Sequence, residues 1–282
     1  MKRKTIWLLV CALSLLSFSN PKTYYFISRF QPNSTYKVDI GVHNVSSVRF
    51  VADKETLARL WNAGLKNPTR STSEQTMIET VTTGKMAPDS SFFIRMVVDS
   101  FGDDIRINGV QKSSQDVPSL SGMEASGVYT KDGRIMYLRV EGGKLDDDMR
   151  NAIAATVEKS LGDIKYPDAP IAIGDSFQQQ IPLDLPVPGF NPVHLQMTIT
   201  YKLVRVDGDT AYFDNGYKME MNQNTGEYKL DVEGSGTGTL KHNLSRNFFI
   251  EHSSHLRMTA RIKTDNLEID ESSEVEASTH YR

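Results

Sequence analysis

The sequence predicts an α+β protein that is mainly antiparallel β, with two curved, sheet-rich halves and one or two helices in the N-terminal half. Apolar and polar residues alternate along many segments, as they do in strands that bury one face. Turn dipeptides such as Asp-Gly separate several of these segments. Apolar residues at helical spacing occur only near residues 54–63 and 145–161, which predicts one helix in each range.

The clearest strand signal is the segment from Leu195 to Leu203, in which every second residue is apolar. At Val204 the apolar phase shifts by one residue, which predicts a β-bulge near the end of the strand. Asp207-Gly208 then separates this segment from the next apolar run, and this dipeptide predicts a hairpin.

A proline-rich stretch between residues 166 and 192 predicts the internal boundary. Proline lacks a backbone N–H and is confined to edge strands or crossings. We therefore divide the chain into a signal peptide at residues 1–19, an N-terminal half at 20–165 and a C-terminal half at 166–282. We expect a polar loop at residues 66–75 and a polar tail at 271–282.

Residues 1–19 have the features of a secretory signal peptide. Lys2-Arg3-Lys4 is followed by an apolar run to Phe18, and small residues precede a possible cleavage site between Ser19 and Asn20. The run is shorter than the roughly 20 residues that a membrane-spanning helix needs. We predict an exported protein, periplasmic or secreted, with no transmembrane span in the mature chain.

Charge and cysteine content limit the classes of function. Cys11 is the only cysteine and lies in the predicted signal peptide, so the mature chain would contain neither disulfides nor a thiol nucleophile. Without residues 1–19 the chain has 29 basic and 35 acidic residues, a net charge of −6. This balance gives no electrostatic footprint for nucleic acid.

The motifs that resemble catalytic or metal sites lack their required context. The glycines from Gly234 to Gly238 have no third fingerprint glycine and no following helix, so they indicate a bulge or a close approach between strands. His252 and His255 are three positions apart on a predicted strand and would point to opposite faces. We predict no catalytic residue, no cofactor and no metal site.

Methionine and aromatic residues in the strands are the remaining signal. Most such residues belong to cores, but a curved sheet lined by them also forms an adaptable apolar groove. The candidate groove residues are Met197, Tyr201, Met219, Met221, Phe248 and Met258.

In its overall plan, and most specifically over residues 166–235, the sequence resembles a group of bacterial exported proteins of unknown function. The matching residues are Tyr36, Gly174, Asp175, Ser176, Phe177, Tyr201, Asn224, Thr225 and Gly226. This resemblance implies curved β-sheets of the kind seen in periplasmic lipoprotein carriers, and it implies no catalytic residues.

Three hypotheses of function follow. In the first, the protein is a non-enzymatic binding protein that holds an apolar or amphipathic, lipid-like ligand against a sheet face. In the second, it is an envelope or surface module that contacts another protein through strand edges or loops. In the third, it is a hydrolase, which requires a serine, a histidine and a carboxylate to converge in space.

Overall fold

A computed structural model describes residues 22–112, 120–143, 145–160, 164–185, 193–224 and 228–282. The predicted signal peptide and the hairpin residues Thr225 and Gly226 lie outside these ranges.

The described residues form mostly long strands and two helices. In chain order the elements are β1 (Thr23–Tyr24), β2 (Thr35–Ala52), α1 (Lys54–Asn62), β3 (Thr69–Thr83), β4 (Phe92–Ile107), β5 (Val110–Gln111), β6 (Glu124–Tyr129), β7 (Ile135–Glu141), α2 (Asp147–Ser160), β8 (Ile171–Ala172), β9 (Ser176–Leu185), β10 (Val193–Asp207), β11 (Thr210–Asn224), β12 (Lys229–Asn243), β13 (Phe248–Lys263) and β14 (Leu267–Tyr281).

One antiparallel sheet contains twelve of the described strands. Its spatial order is β7-β6-β4-β3-β2-β14-β13-β12-β11-β10-β9, with β5 paired to β4, so that within the described residues the sheet is open and β7 and β9 are its edges. Strands β1 and β8 form a separate two-stranded sheet. The predicted fold class, mainly antiparallel β with helices in the N-terminal half, is confirmed.

The two halves of the chain share this sheet because β14 lies between β13 and β2. The prediction of a polar tail at residues 271–282 was therefore wrong. The acidic residues of β14 face basic residues on its neighbours: Asp270 pairs with Arg49 at 2.6 Å and with Arg261 at 2.8 Å. The charged residues of this segment, which the sequence alone suggests are solvated, thus form ion pairs with residues of the neighbouring strands.

The prediction of a loop at residues 66–75 was also wrong, because β3 begins at Thr69. The polar side chains of this segment find partners on β2, as in the 2.7 Å hydrogen bond between the hydroxyls of Ser46 and Ser71. The polar composition of residues 66–75 was therefore not evidence of a loop, because polar side chains in a strand can pair with those of the next strand.

Local signals were more reliable. Asp53 caps α1, where its carboxylate accepts a 2.7 Å hydrogen bond from the backbone N–H of Thr56. Gly64 follows this helix with a φ of +84°. Neither described helix is long and apolar enough to cross a membrane.

The turn and the bulge predicted in the second half are present. Asp207 and Gly208 lie between β10 and β11, and the pairing of these strands shifts register between Leu203 and Arg205. Pro182 lies in β9, an edge strand of the described sheet, and edge strands are where a residue without a backbone N–H is tolerated.

Three apolar cores lie along the sheet. The first contains Phe30 and Phe248 with residues of β2–β4, β6 and β7, and the second contains Phe26 with residues of β8–β12. The third core consists of the buried residues Leu195, Met219, Leu230, Val232 and Ala260, with Met197, Met221, Tyr228, Met258 and Ile262 packed against them.

A row of glycines on β12 brings its neighbours close, as the sequence predicts. A Cβ atom at Gly236 would lie 2.6 Å from Cδ2 of Leu256 and would also overlap the backbone oxygen of His255. A Cβ at Gly238 would overlap the backbone oxygen of Ser253. At these two glycines the backbone of β13 therefore approaches β12 closely, and at Gly236 the side chain of Leu256 also lies over β12.

Candidate functional site

The long strands give the sheet two chemically different faces. On the apolar face, cross-strand partners such as Leu203, Phe213 and Leu240 lie side by side. On the charged face, the Lys and Arg residues of β2–β4 and β10–β14 project together, and within these strands none lies on the apolar face. They are Lys37, Arg49, Arg70, Arg95, Arg106, Lys202, Arg205, Lys218, Lys229, Lys241, Arg257, Arg261 and Lys263.

The four methionines predicted as groove residues come together on the apolar face. Met197, Met219 and Met258 belong to one cross-strand row, in which Gly234 lies between the last two. Met221 follows on β11, and all four belong to the third core. Met219 is buried at 8% exposure, while the other three are half-buried.

The other two predicted residues lie in different cores. Tyr201 stacks on Phe177 in the second core, with ring centroids 4.9 Å apart. Phe248 is 2% exposed in the first core, where its ring centroid lies 4.9 Å from that of Phe30. The structure therefore separates the six candidates into a methionine cluster and two aromatic core residues.

The third core differs from the other two in what packs on it. The first core receives Ile153 of α2 and the second receives Phe26 of the N-terminal segment. Within the described part of the chain, every member of the third core belongs to β10–β13 or is Tyr228, just before β12. No described helix contributes to it.

A polar pair crosses the apolar face beside these cores. The hydroxyl of Tyr217 on β11 lies 2.7 Å from Nε2 of His252 on β13. The phenol side chain spans β12 at the level of its glycines. Burial raises the pKa of Tyr217 and lowers the pKa of His252, so both groups are uncharged at neutral pH.

Asn215 lies next to this pair and is 3% exposed. Its amide lies close enough to the Tyr217 hydroxyl to lower the pKa of that phenol, but neither Nδ2 nor Oδ1 reaches normal hydrogen-bond geometry with any partner. A buried amide with both atoms unpaired is costly.

These residues form part of a belt across the middle of the apolar face, which Ala277 of β14 and Val42 of β2 interrupt. We call it the polar belt, and it consists of Asn44, Ser73, Gln75, Asp103, Asn215, Tyr217, His252 and Ser254. The Oδ1 atom of Asn44 and both carboxylate oxygens of Asp103 are also buried without a hydrogen-bond partner. Sequence reasoning missed the belt because its members occupy positions of the alternation that usually carry apolar side chains.

A second histidine, His242, is buried beside the second core and contacts two of its aromatic residues. Nδ1 of His242 lies 3.1 Å from the hydroxyl of Tyr166, and burial lowers the pKa of His242 to about 4. The ring also packs edge-on against Phe26 at a centroid distance of 5.4 Å. This contact ties the crossing segment to β12.

The charged face carries a cleft of about 810 Å³ across the middle of β11–β14, β2 and β3. Carboxylates, imidazoles and hydroxyls line it, and none of the lining residues in the described part of the chain is a Lys or an Arg. The side chains that border it are Asp214, Thr237, Thr239, Ser253, His255, Glu276, Ser278, His43, Glu74 and Thr76.

The two histidines of β13 that the sequence suggested as a pair lie on opposite faces of the sheet. His255 Nε2 lies 2.5 Å from a carboxylate oxygen of Glu274 on the charged face, whereas His252 lies on the apolar face. The predicted separation of the two rings is thus confirmed. Among the described residues, no group of three or more His, Cys, Asp or Glu side chains could hold an ion.

Comparisons with known proteins give little further information. No protein-family model and no curated protein matches the chain. Among solved structures, the translocator domain of the autotransporter NalP from Neisseria meningitidis aligns with 7% identity over 98% of this chain and 95% of that chain, with a TM-score of 0.19. Similarity at this level supports no argument about fold or function.

Proposed function

We propose that this chain is an exported, non-enzymatic binding protein that holds a lipid-like, amphipathic ligand on the apolar face of its sheet. The observation that carries the proposal is the methionine cluster of the third core. Its half-buried side chains, Met197, Met221 and Met258, lie on a surface to which no described helix contributes. Export is supported by the signal-peptide pattern of residues 1–19.

Methionine suits such a surface because its side chain is unbranched, polarisable and able to repack around ligands of different shape. The polar belt lies beside the cluster on the same face, through Tyr217 two positions from Met219. An amphipathic molecule could therefore place its chain on the methionines and its head group at the belt.

We expect the chain from residue 20 to 282 to take up one ligand with a twelve-carbon chain per molecule, measured by native mass spectrometry and by displacement of an uncharged fluorescent lipid probe. Replacing Met221 and Met258 with serine removes apolar contact area and should weaken binding about tenfold.

A matched control is Val45→Ser. Val45 is 41% exposed and lies on the charged face, opposite Glu274. This variant should bind as the unmodified chain does. If no lipid-like molecule is retained from the native envelope or taken up from solution, the binding proposal is wrong, and the envelope interaction module becomes the better hypothesis.

A further inference from the structure

Asn215 is a buried polar residue on the apolar face. It is 3% exposed, and its Nδ2 donor and Oδ1 acceptor both lack a hydrogen-bond partner of normal geometry. The next residue in its cross-strand row is Gly238, which has no side chain, and the one after that is Ser254, which is half-buried. The row therefore leads from a buried amide to an accessible part of the face.

The chemistry of the Asn215 carboxamide limits which ligand groups can form hydrogen bonds with both of its polar atoms. Nδ2 needs an acceptor and Oδ1 needs a donor, and the two atoms share one edge of a planar group. A ligand group completes both bonds only if it also presents a donor and an acceptor side by side. A primary carboxamide and an un-ionised carboxylic acid do so, whereas an ester offers acceptors alone.

The charged residues of the sheet limit the charge that the ligand head group can carry. In strands β2–β4 and β10–β14 every Lys and Arg lies on the opposite face, while Glu79, Asp103 and Glu271 lie on the apolar face. These strands therefore supply no Lys or Arg to pair with an anionic head group on this face, and such a group would meet their carboxyl groups. Burying an unpaired charge is more costly than burying a neutral polar group.

We propose that Asn215 recognises an uncharged ligand head group that carries a donor and an acceptor on one edge, a primary carboxamide or an un-ionised carboxylic acid, and that the site rejects esters and ionised head groups. This inference rests on the proposed function, since it names the head group of the ligand whose chain packs on the methionine cluster.

Three probes with the same chain test the proposal: dodecanamide, methyl dodecanoate and dodecanoate at pH 8. Their affinities for the chain from residue 20 to 282 are compared by displacement of an uncharged fluorescent lipid probe. We expect dodecanamide to bind at least about tenfold more tightly than either of the other two, because only its head group pairs with both atoms of the amide.

The variant Asn215→Leu has a similar size and no polar atoms. It should bind dodecanamide and methyl dodecanoate equally, and its affinity for the ester should match that of the unmodified chain. It should also unfold at the same or a higher urea concentration, because the substitution removes a buried amide without partners.

The outcomes separate the two proposals. If all three probes bind with equal affinity, the head-group inference is wrong and the binding function stands. If the amide preference persists in Asn215→Leu, another residue recognises the head group and the assignment to Asn215 is overturned. If no probe binds, the proposed function fails and the inference fails with it. The comparison of probes on the unmodified chain decides the matter even if the variant does not fold.

Discussion

Replacing Gly236 with alanine should lower the free energy of unfolding by about 2 kcal/mol or more. The added methyl group would lie 2.6 Å from Cδ2 of Leu256 and would overlap the backbone oxygen of His255. Backbone cannot move aside as a flexible side chain can, so β12 and β13 would have to separate. Urea unfolding of the chain from residue 20 to 282, followed by circular dichroism, measures the change.

Gly216→Ala is the matched control. Gly216 lies on β11 in the same sheet and pairs with Thr237 of β12. A methyl group added there would meet no heavy atom within 4 Å apart from those of its chain neighbours. Alanine should therefore be neutral or stabilising, because glycine loses more conformational entropy in a strand. Equal destabilisation by both substitutions would show that the close approach at Gly236 is not what requires glycine.

Glu79→Gln should make the protein more stable at high pH and leave it unchanged at low pH. Glu79 lies on the apolar face between Val38 and Val98, and burial, with the nearby carboxylate of Asp99, raises the pKa of Glu79 to about 7 from 4.5. A raised pKa means that ionisation opposes folding. The unmodified chain should therefore lose stability as the pH rises from about 4.5 through 7, by on the order of 2 to 3 kcal/mol.

The difference between variant and unmodified chain isolates this effect. His242 and His252 have lowered pKa values because they are buried, so they reduce stability as the pH falls and act equally on both proteins. Urea midpoints measured from pH 4 to 9 should coincide at the acidic end and diverge above pH 5. A constant difference across this range would rule out Glu79 as the titrating group.

The sequence predicted features whose causes are local. Asp53 caps the helix that follows it, and the phase shift at Val204 marks a bulge, since both depend only on neighbouring residues. Most of β14, from Glu271 onwards, escaped prediction because the acidic residues of this strand pair with arginines of the strands on either side of it. Asp270 pairs with Arg49, which is 221 positions away, and Glu274 pairs with Arg257.

The candidate site was predicted only in part, for a related reason. Alternation placed the methionines on one face of their strands, and pairing then gathered them into one cluster. Alternation could not assign Phe248 to a different core from Met219. It also gave no reason to connect Tyr217 with His252, because their contact crosses a third strand and depends on the glycines of β12.

The position of β14 between β13 and β2 determines when the sheet can be completed. Asp39 of β2 and Arg282, which follows β14, form an ion pair although they are 243 positions apart in the sequence. During synthesis, β2 therefore emerges long before the strand that lies beside it in the folded protein. Until then β2 and later β13 each present an unpaired edge, which is prone to wrong pairing. The edge of β2 is slow to be covered, because its contact with β14 closes a very large loop. A chain truncated before Leu267 would keep both edges open permanently, and it should accumulate as aggregate rather than as two independent halves.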